Sequence, residues 1–168
     1  MFEIRYRILN NDSDDYYGQN GYFQIICNEY TFGYMLESDV EICSVDIENW
    51  MIGFLDVLSN IKKGRRCYLC DTESHETWFS FDIKDNYVIM SLIKAERIIG
   101  SKQIELFLPE IRPGDMEKQY IRFEDFESEI LRVVNIYFQE VSRNNMNDIA
   151  ETLKRTIIDK IHQIKNTV

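Results

Sequence analysis

The chain lacks the features of several large protein classes. No apolar run approaches the roughly 18–20 residues that a helix needs to cross a membrane. Two prolines and seven glycines among 168 residues are too few for long linkers or low-complexity tails. Nineteen basic residues stand against 29 acidic ones, and this net charge of −10 disfavours binding to nucleic acid or anionic lipid. We therefore expect neither a nucleic-acid partner nor a membrane partner.

Cysteine is also scarce, since only Cys27, Cys43, Cys67 and Cys70 are present. Four scattered cysteines do not make the disulfide framework of a small secreted domain. The first residues alternate between apolar and charged side chains, whereas a secretory signal has a basic stub followed by an unbroken apolar stretch. These features predict a cytoplasmic protein whose thiols are small buried hydrophobic groups.

Apolar side chains are abundant by contrast. Hydrophobic residues make up 45% of the chain and aromatic residues 13%, which is enough for a sizeable core in a protein of 168 residues. We expect a single domain over residues 1–168, with a body over 1–142 and a C-terminal helix over 146–165.

Two periodicities predict the elements of the body. Alternation with period two predicts strands over 2–8, 22–27 and 30–35, with Asn28-Glu29 as a hairpin turn. Further strands are predicted over 66–71, 76–83, 87–94, 103–108 and 118–123, with a loop over 109–115. Helical spacing predicts one helix from the N-cap Asp46 to Gly64 and another from Glu124. The fold class is α+β: a mostly antiparallel sheet packed against amphipathic helices, with a C-terminal helical pair.

The last helix carries an apolar stripe with steps of three and four residues. Its members are Met146, Ala150, Leu153, Ile157, Ile161 and Ile164. A stripe of this length must be buried, either on the chain's own sheet and neighbouring helix or in a homodimer seam. Ile158 widens the stripe, which favours intramolecular packing and leaves a homodimer as the alternative to a monomer.

One group of side chains has the residue types of a metal or redox site. Cys67-x-x-Cys70 precedes His75, with Asp71 and Glu73 between them. On a strand, residues three apart point to opposite faces, so the two thiols should not share a ligand. A small metal-binding or hydrolytic enzyme using this region is an alternative interpretation. No nucleophile or phosphate loop accompanies it, and we expect no metal, no cofactor and no enzymatic activity.

Acidic side chains are concentrated in two segments of the body. Residues from Arg143 onward carry five basic and three acidic side chains, a net charge of +2, so the preceding residues hold −12. The two segments contain Asp12, Asp14 and Asp15, and Asp71, Glu73, His75 and Glu76. Like charges are costly to place together unless a cation relieves the repulsion. We predict that both segments bind a cationic partner, with an ordinary solvated face as the alternative.

The larger aromatic residues form a second conspicuous set. We expect Trp50, Trp78, Phe79, Phe81, Tyr87 and Phe107 to lie in the core. A platform for stacking bases would need positive charge around it, and this chain is negative.

The order of motifs resembles a known family. A helix ending in Lys-Lys-Gly is followed by the acidic strand pair CDTESHETWFSFDI, the strand YVIMSLI and the helix start YIRFEDFESEILRVV. Over residues 2–141 this pattern is similar to WapI-like small bacterial immunity proteins of polymorphic-toxin systems. The helix over 146–164 is not part of that pattern.

The resemblance implies a cytoplasmic protein that neutralises a cognate secreted toxin, often a nuclease, by direct binding. It implies no catalytic residues. Toxins of this type are commonly basic, so an acidic inhibitor is the expected counterpart. A structural module that dimerises through the C-terminal helix is the third interpretation, and it is compatible with toxin binding.

Overall fold

A computed structural model describes residues 1–9, 17–38, 43–71, 73–144 and 148–166, with residues 148–150 by their backbone only. The strands are β1 (Phe2–Ile8), β2 (Asn20–Cys27), β3 (Tyr30–Gly33), β4 (Val45–Asp46), β5 (Cys67–Cys70), β6 (Thr77–Lys84), β7 (Tyr87–Lys94), β8 (Ile104–Glu105), β9 (Arg112–Pro113) and β10 (Gln119–Arg122). The helices are α1 (Ile47–Lys62), α2 (Phe123–Asn144) and α3 (Asp148–Lys165). The predicted α+β class and the C-terminal helical pair are confirmed.

The strands form two antiparallel sheets, a division that the sequence pattern did not show. In the first sheet, β2 pairs with β1 along its whole length, with β3 near its end and with β4 near its start. Cys27 and Tyr30 close the predicted Asn28-Glu29 turn, where Asn28 has a φ of 54°. The second strand of this hairpin ends at Gly33 instead of Met35, because Gly33 has a φ of 84° that turns the chain away.

The second sheet has the strand order β10-β7-β6-β5-β8, and β9 pairs with β7. The predicted strand over 103–108 shrinks to Ile104–Glu105, and the predicted loop over 109–115 contains the short strand β9. Both differences lie at the margin of the sheet, where β8 pairs with β5 and β9 pairs with β7 through only two residues each. The central strands match their predicted ranges to within one residue.

Helix α1 follows its predicted N-cap, Asp46. The Asp46 carboxylate accepts a hydrogen bond of 2.8 Å from the backbone N–H of Asn49, which is a typical N-cap. Its apolar stripe enters one core cluster that joins side chains from both sheets and all three helices. Within this cluster Trp50 stacks on Phe23 at a centroid distance of 5.0 Å.

The two later helices pack against the same core. Helix α2 packs on β1, and α3 packs on α1 and α2. Leu153, Ile157 and Ile164 are buried in the main cluster, which confirms intramolecular packing for the part of the stripe that the structure describes. The Met146 and Ala150 side chains lie outside that part, and Ile158 is 42% exposed. No helix within the described ranges is long and apolar enough to span a membrane.

A smaller cluster fills the outer face of the second sheet. Its members are Tyr68, Cys70, Trp78, Ile93, Ala95 and Leu108. The Trp78 indole donates a hydrogen bond of 3.0 Å to the carbonyl of Ala95, which holds the following loop against this face. The core prediction is correct for four of the six aromatic residues. It is wrong for Tyr87, which starts β7 at a turn, and for Phe107, which lies in a loop and is 77% exposed.

Candidate functional site

The connection between β5 and β6 carries four of the residues that we predicted to bind a partner. Its ends are joined by a hydrogen bond of 3.0 Å from the N–H of Asp71 to the carbonyl of Thr77. Inside the turn, the Ser74 hydroxyl donates to the Thr77 hydroxyl at 2.8 Å and accepts from the Thr77 N–H at 3.1 Å. These bonds link Asp71, Ser74 and Thr77 within the described part of the acidic turn.

Asp71 is the buried member of this turn. It continues the alternation of β5, so its side chain lies on the same face as Leu69, toward α1 and the main core. The residue is 8% exposed, and its carboxylate accepts a hydrogen bond of 3.1 Å from the N–H of Glu73. No basic side chain of the described residues forms an ion pair with it. Burial, the largest cause, raises the pKa of this carboxyl above its ordinary value.

Glu76 has the opposite environment. Its carboxylate lies 3.2 Å from Lys94 Nζ and 3.1 Å from an Arg112 guanidinium nitrogen. The hydrogen bond from Lys94, followed by the attraction of both cations, lowers the pKa of Glu76. The repulsion expected around this residue is therefore relieved by the chain's own cations. Glu73 and His75 are exposed, and the His75 carbonyl accepts a hydrogen bond of 3.1 Å from Arg97.

The other predicted acidic segment, with Asp12, Asp14 and Asp15, lies outside the described residues. Of the predicted site residues, the structure brings Asp71 and Glu73 to the wall of one cavity and directs Glu76 toward β7 and β9.

That cavity is one of two that flank β3, and we call the pair the β3 cleft. The acidic pocket, of about 440 Å³, has walls that include Phe32, Tyr34, Cys43, Trp50, Asp71 and Glu73. The apolar pocket, of about 280 Å³, has walls that include Ile25, Phe32, Phe79, Met90, Leu92 and Met116. Thr31 and Phe32 belong to both walls, so this part of β3 lies between the two pockets.

Trp50 gives the acidic pocket an unusual wall. The residue is 2% exposed, and its ring contacts Phe23, Phe32 and Phe79 at centroid distances of 5.0, 6.2 and 5.9 Å. Its indole N–H is buried and has no hydrogen-bond acceptor in the part of the chain that the structure describes. A buried donor without an acceptor costs about 1–3 kcal/mol, and such groups are worth explaining functionally.

The two outer edges of the first sheet differ in the partners of their outward backbone groups. At the β1 edge, the N–H of Ile4 donates a hydrogen bond of 2.7 Å to the Glu129 carboxylate of α2. At the β3 edge no described strand or side chain takes that place, and Thr31 is exposed. An open edge of this kind offers unpaired backbone groups to another chain.

Sequence reasoning missed this cleft and most of its walls. It assigned Trp50 to the core and Phe32 to a strand, and both assignments are correct. The available signal was a pair of exposed tyrosines, Tyr30 at the start of β3 and Tyr34 directly after its end, because exposed large aromatic side chains often mark a contact surface.

The thiols of Cys67 and Cys70 point apart, as predicted. Cys67 lies in the main cluster and Cys70 in the outer cluster, on opposite faces of the second sheet. Burial raises the pKa of Cys67 to about 12 and also raises that of Cys70. Within the described ranges, no group of three or more histidine, cysteine or acidic residues is arranged to hold a metal ion.

Comparisons with known proteins do not assign the chain to a family. No protein-family model, no curated protein and no solved structure matches it. The resemblance to immunity proteins therefore stays a prediction from the residues alone.

Proposed function

We propose that this protein is an acidic binding protein of the cytoplasm that neutralises a basic protein toxin by direct contact. The contact surface is the β3 cleft together with the exposed part of the turn from Asp71 to Glu76. One observation carries the proposal: Asp71 is a buried carboxylate beside Glu73, on the wall of an open aromatic pocket, and no basic side chain among the described residues pairs with it. A lysine or arginine of the partner supplies the missing charge.

The net charge of −10 supports a basic protein partner over a nucleic acid. A toxin that cleaves nucleic acid presents cations to the phosphate backbone of its substrate. An inhibitor that presents carboxylates competes for the same cations. Complementary fields also speed the encounter of two proteins, which matters for an inhibitor that must act before its target does damage.

The two alternatives receive no specific support. An enzyme using Cys67, Cys70 and His75 would need these side chains to converge, but the two thiols lie on opposite faces of a sheet. A module that dimerises through α3 would need a free apolar stripe, but Leu153, Ile157 and Ile164 pack inside the chain. Elemental analysis of the purified, dialysed protein addresses the first alternative, because stoichiometric zinc would support it.

The test is binding to the toxin domain encoded by a neighbouring gene, measured as association kinetics at several salt concentrations. Reversal of the exposed carboxylate by Glu73→Lys should slow association several-fold and flatten its salt dependence. Asp159→Lys is the matched control, since Asp159 is an exposed acid on α3, away from the cleft. Equal rates for the two variants, or no complex with any such toxin domain, would count against the proposal.

A further inference from the structure

We propose that the β3 cleft binds its partner by strand addition: an extended segment pairs with the open edge of β3 and places an arginine or lysine side chain in the acidic pocket. This inference rests on the proposed function for the identity of the partner. It goes further by naming the mode of binding and the sequence that is recognised.

The pairing of β3 determines which backbone groups are available. In antiparallel pairing, alternate residues of a strand bond to the same neighbour. Tyr34 donates its N–H to the carbonyl of Phe23 at 3.1 Å, and Tyr30 pairs with Cys27 at the turn, so Phe32 between them also bonds toward β2. The N–H and C=O of Thr31 therefore point away from the sheet. Thr31 is exposed, so a strand can reach these groups.

At the opposite edge of the same sheet, which β1 forms, an outward backbone group already has a hydrogen-bond partner. The outward N–H of Ile4 on β1 donates to the Glu129 carboxylate, so this group is not available to another strand. Tyr6 of the same strand donates its hydroxyl to Glu140 of α2 at 2.9 Å, which holds the helix along β1. Helix α1 contacts β3 through the rings of Trp50 and Phe32, but no helix side chain among the described residues is hydrogen-bonded to the outward backbone groups of β3.

The two pockets lie where side chains of an added strand would fall. The apolar pocket borders Tyr30, Thr31 and Phe32, and the acidic pocket borders the stretch from Thr31 to Tyr34. Side chains on one face of a strand repeat every second residue, at a spacing of about 6.6–6.8 Å. Two such side chains can straddle Phe32, one in each pocket. The recognised pattern is thus an apolar residue and a basic residue separated by one position.

The chemistry of the acidic pocket selects the basic residue. Asp71 is buried, unpaired with any cation among the described residues, and adjacent to the exposed carboxylate of Glu73. The aromatic walls at Trp50 and Phe32 suit the apolar stem of arginine or lysine, while the carboxylates receive its charged head.

The indole of Trp50 is an independent sign of an unfilled site. Its N–H is a buried donor with no acceptor among the described residues, and Trp50 lines the same pocket. A guanidinium cannot accept this hydrogen bond, but a main-chain carbonyl of a bound segment can. A bound peptide thus offers an acceptor for Trp50 and a cation for Asp71, two partners that the described residues do not supply.

The experiment uses short peptides, so it does not depend on having a toxin. The probes are acetyl-Thr-Leu-Thr-Arg-Thr-amide and its reversed order acetyl-Thr-Arg-Thr-Leu-Thr-amide, which cover both strand directions. Each has a control peptide in which citrulline, a neutral isostere, replaces arginine. The readout is the nitrogen-15 NMR spectrum of the full chain, followed at the Thr31 amide and at the two indole N–H signals. Trp78 is the internal reference, because its N–H is already bonded to Ala95.

The expected result is that one arginine peptide shifts the signals of Thr31 and Trp50 but not that of Trp78. Its citrulline counterpart should bind about tenfold more weakly, a loss typical of a charge-assisted hydrogen bond. Asp71→Asn should abolish the preference for arginine, whereas Asp159→Asn, which removes an exposed charge on α3, should keep it.

The proposal is overturned if neither arginine peptide shifts Thr31 at concentrations up to about 10 mM, the range of weak peptide binding. Equal binding of the arginine and citrulline peptides would also overturn it. Peptide binding without inhibition of any toxin would contradict the proposed function but leave the strand-addition site standing, so the two failures are distinguishable.

Discussion

The ring of Phe32 meets the ring of Phe79 edge to face, at a centroid distance of 4.8 Å and an angle of 87°. Phe32 lies on β3 of the first sheet and Phe79 on β6 of the second, so this contact joins the two sheets. It also separates the two pockets of the β3 cleft, since Phe32 belongs to both walls. Phe32 thus contributes both to the packing between the two sheets and to the walls of the β3 cleft.

Truncation of this side chain should both weaken and reshape the protein. Phe32→Ala is expected to lower the free energy of unfolding by at most about 3 kcal/mol, because buried Phe-to-Ala changes cost about 3–5 kcal/mol and Phe32 is only partly buried. Tyr34→Ala is the matched control, since Tyr34 is 64% exposed and has no ring contact among the described residues. Urea denaturation measures both. Equal losses in the two variants would show that the Phe32–Phe79 contact is not structural.

Asp71 should cost stability at neutral pH. Because burial raises the pKa of Asp71, the folded state is more stable with the neutral carboxyl than with the ionised one. This stability is fully present below the unfolded pKa near 3.8 and is lost as the pH rises through the raised folded value. Asp71→Asn keeps an acceptor for the Glu73 N–H and removes the charge. It should raise the free energy of unfolding at pH 7 by an amount on the order of 1 kcal/mol.

The pH dependence separates this effect from a general one. The gain from Asp71→Asn should shrink as the pH falls toward 4, because the wild-type carboxyl becomes protonated. Chemical denaturation at several pH values gives the difference directly. A gain that does not change with pH would mean that the charge of Asp71 is not its cause. Higher stability together with weaker partner binding would be the trade-off typical of a binding residue.

Two glycines distinguish backbone strain from steric clash. Gly33 and Gly100 have φ values of 84° and 90°, so a side chain is strained at both. A Cβ at Gly33 would lie 2.1 Å from the carbonyl oxygen of Phe23, whereas a Cβ at Gly100 would meet nothing within 4 Å. Gly33→Ala should therefore destabilise the protein by more than the roughly 1 kcal/mol expected for Gly100→Ala. Thermal unfolding followed by circular dichroism compares them, and equal shifts would contradict the close approach of β3 to β2.

Adjacent isoleucines on α3 test the packing of the C-terminal helix. Ile157 is fully buried in the main cluster, and Ile158 is 42% exposed. Ile157→Ala should cost about 2–5 kcal/mol, while Ile158→Ala should change stability by less than about 0.5 kcal/mol. Light scattering on the wild type should show a monomer. A dimer that Ile158→Ala dissociates would instead place a homodimer contact on this helix.

The cysteine pair and the acidic turn show which features the two-residue period of a strand predicts and which it does not. The opposite orientation of Cys67 and Cys70 follows from the two-residue period of a strand, and the structure confirms it. The same period does not reveal that Asp71 faces a covered side of the sheet while Glu73 is exposed. It also does not reveal that Lys94 and Arg112, which are 18 and 36 residues from Glu76, neutralise that carboxylate.

The sequence by itself determined the order of the helices and longer strands, the N-cap of α1 at Asp46 and the buried stripe of α3 as far as it is described, but not the two-residue strands β4 and β9. Capping and side-chain periodicity depend on residues a few positions apart. Only the tertiary structure decided that the strands divide into two sheets, that Phe32 meets Phe79 and that an aromatic pocket opens beside Asp71. These features arise from contacts between residues distant in the chain. Such contacts are selected by the packing of the whole core, which no local pattern records.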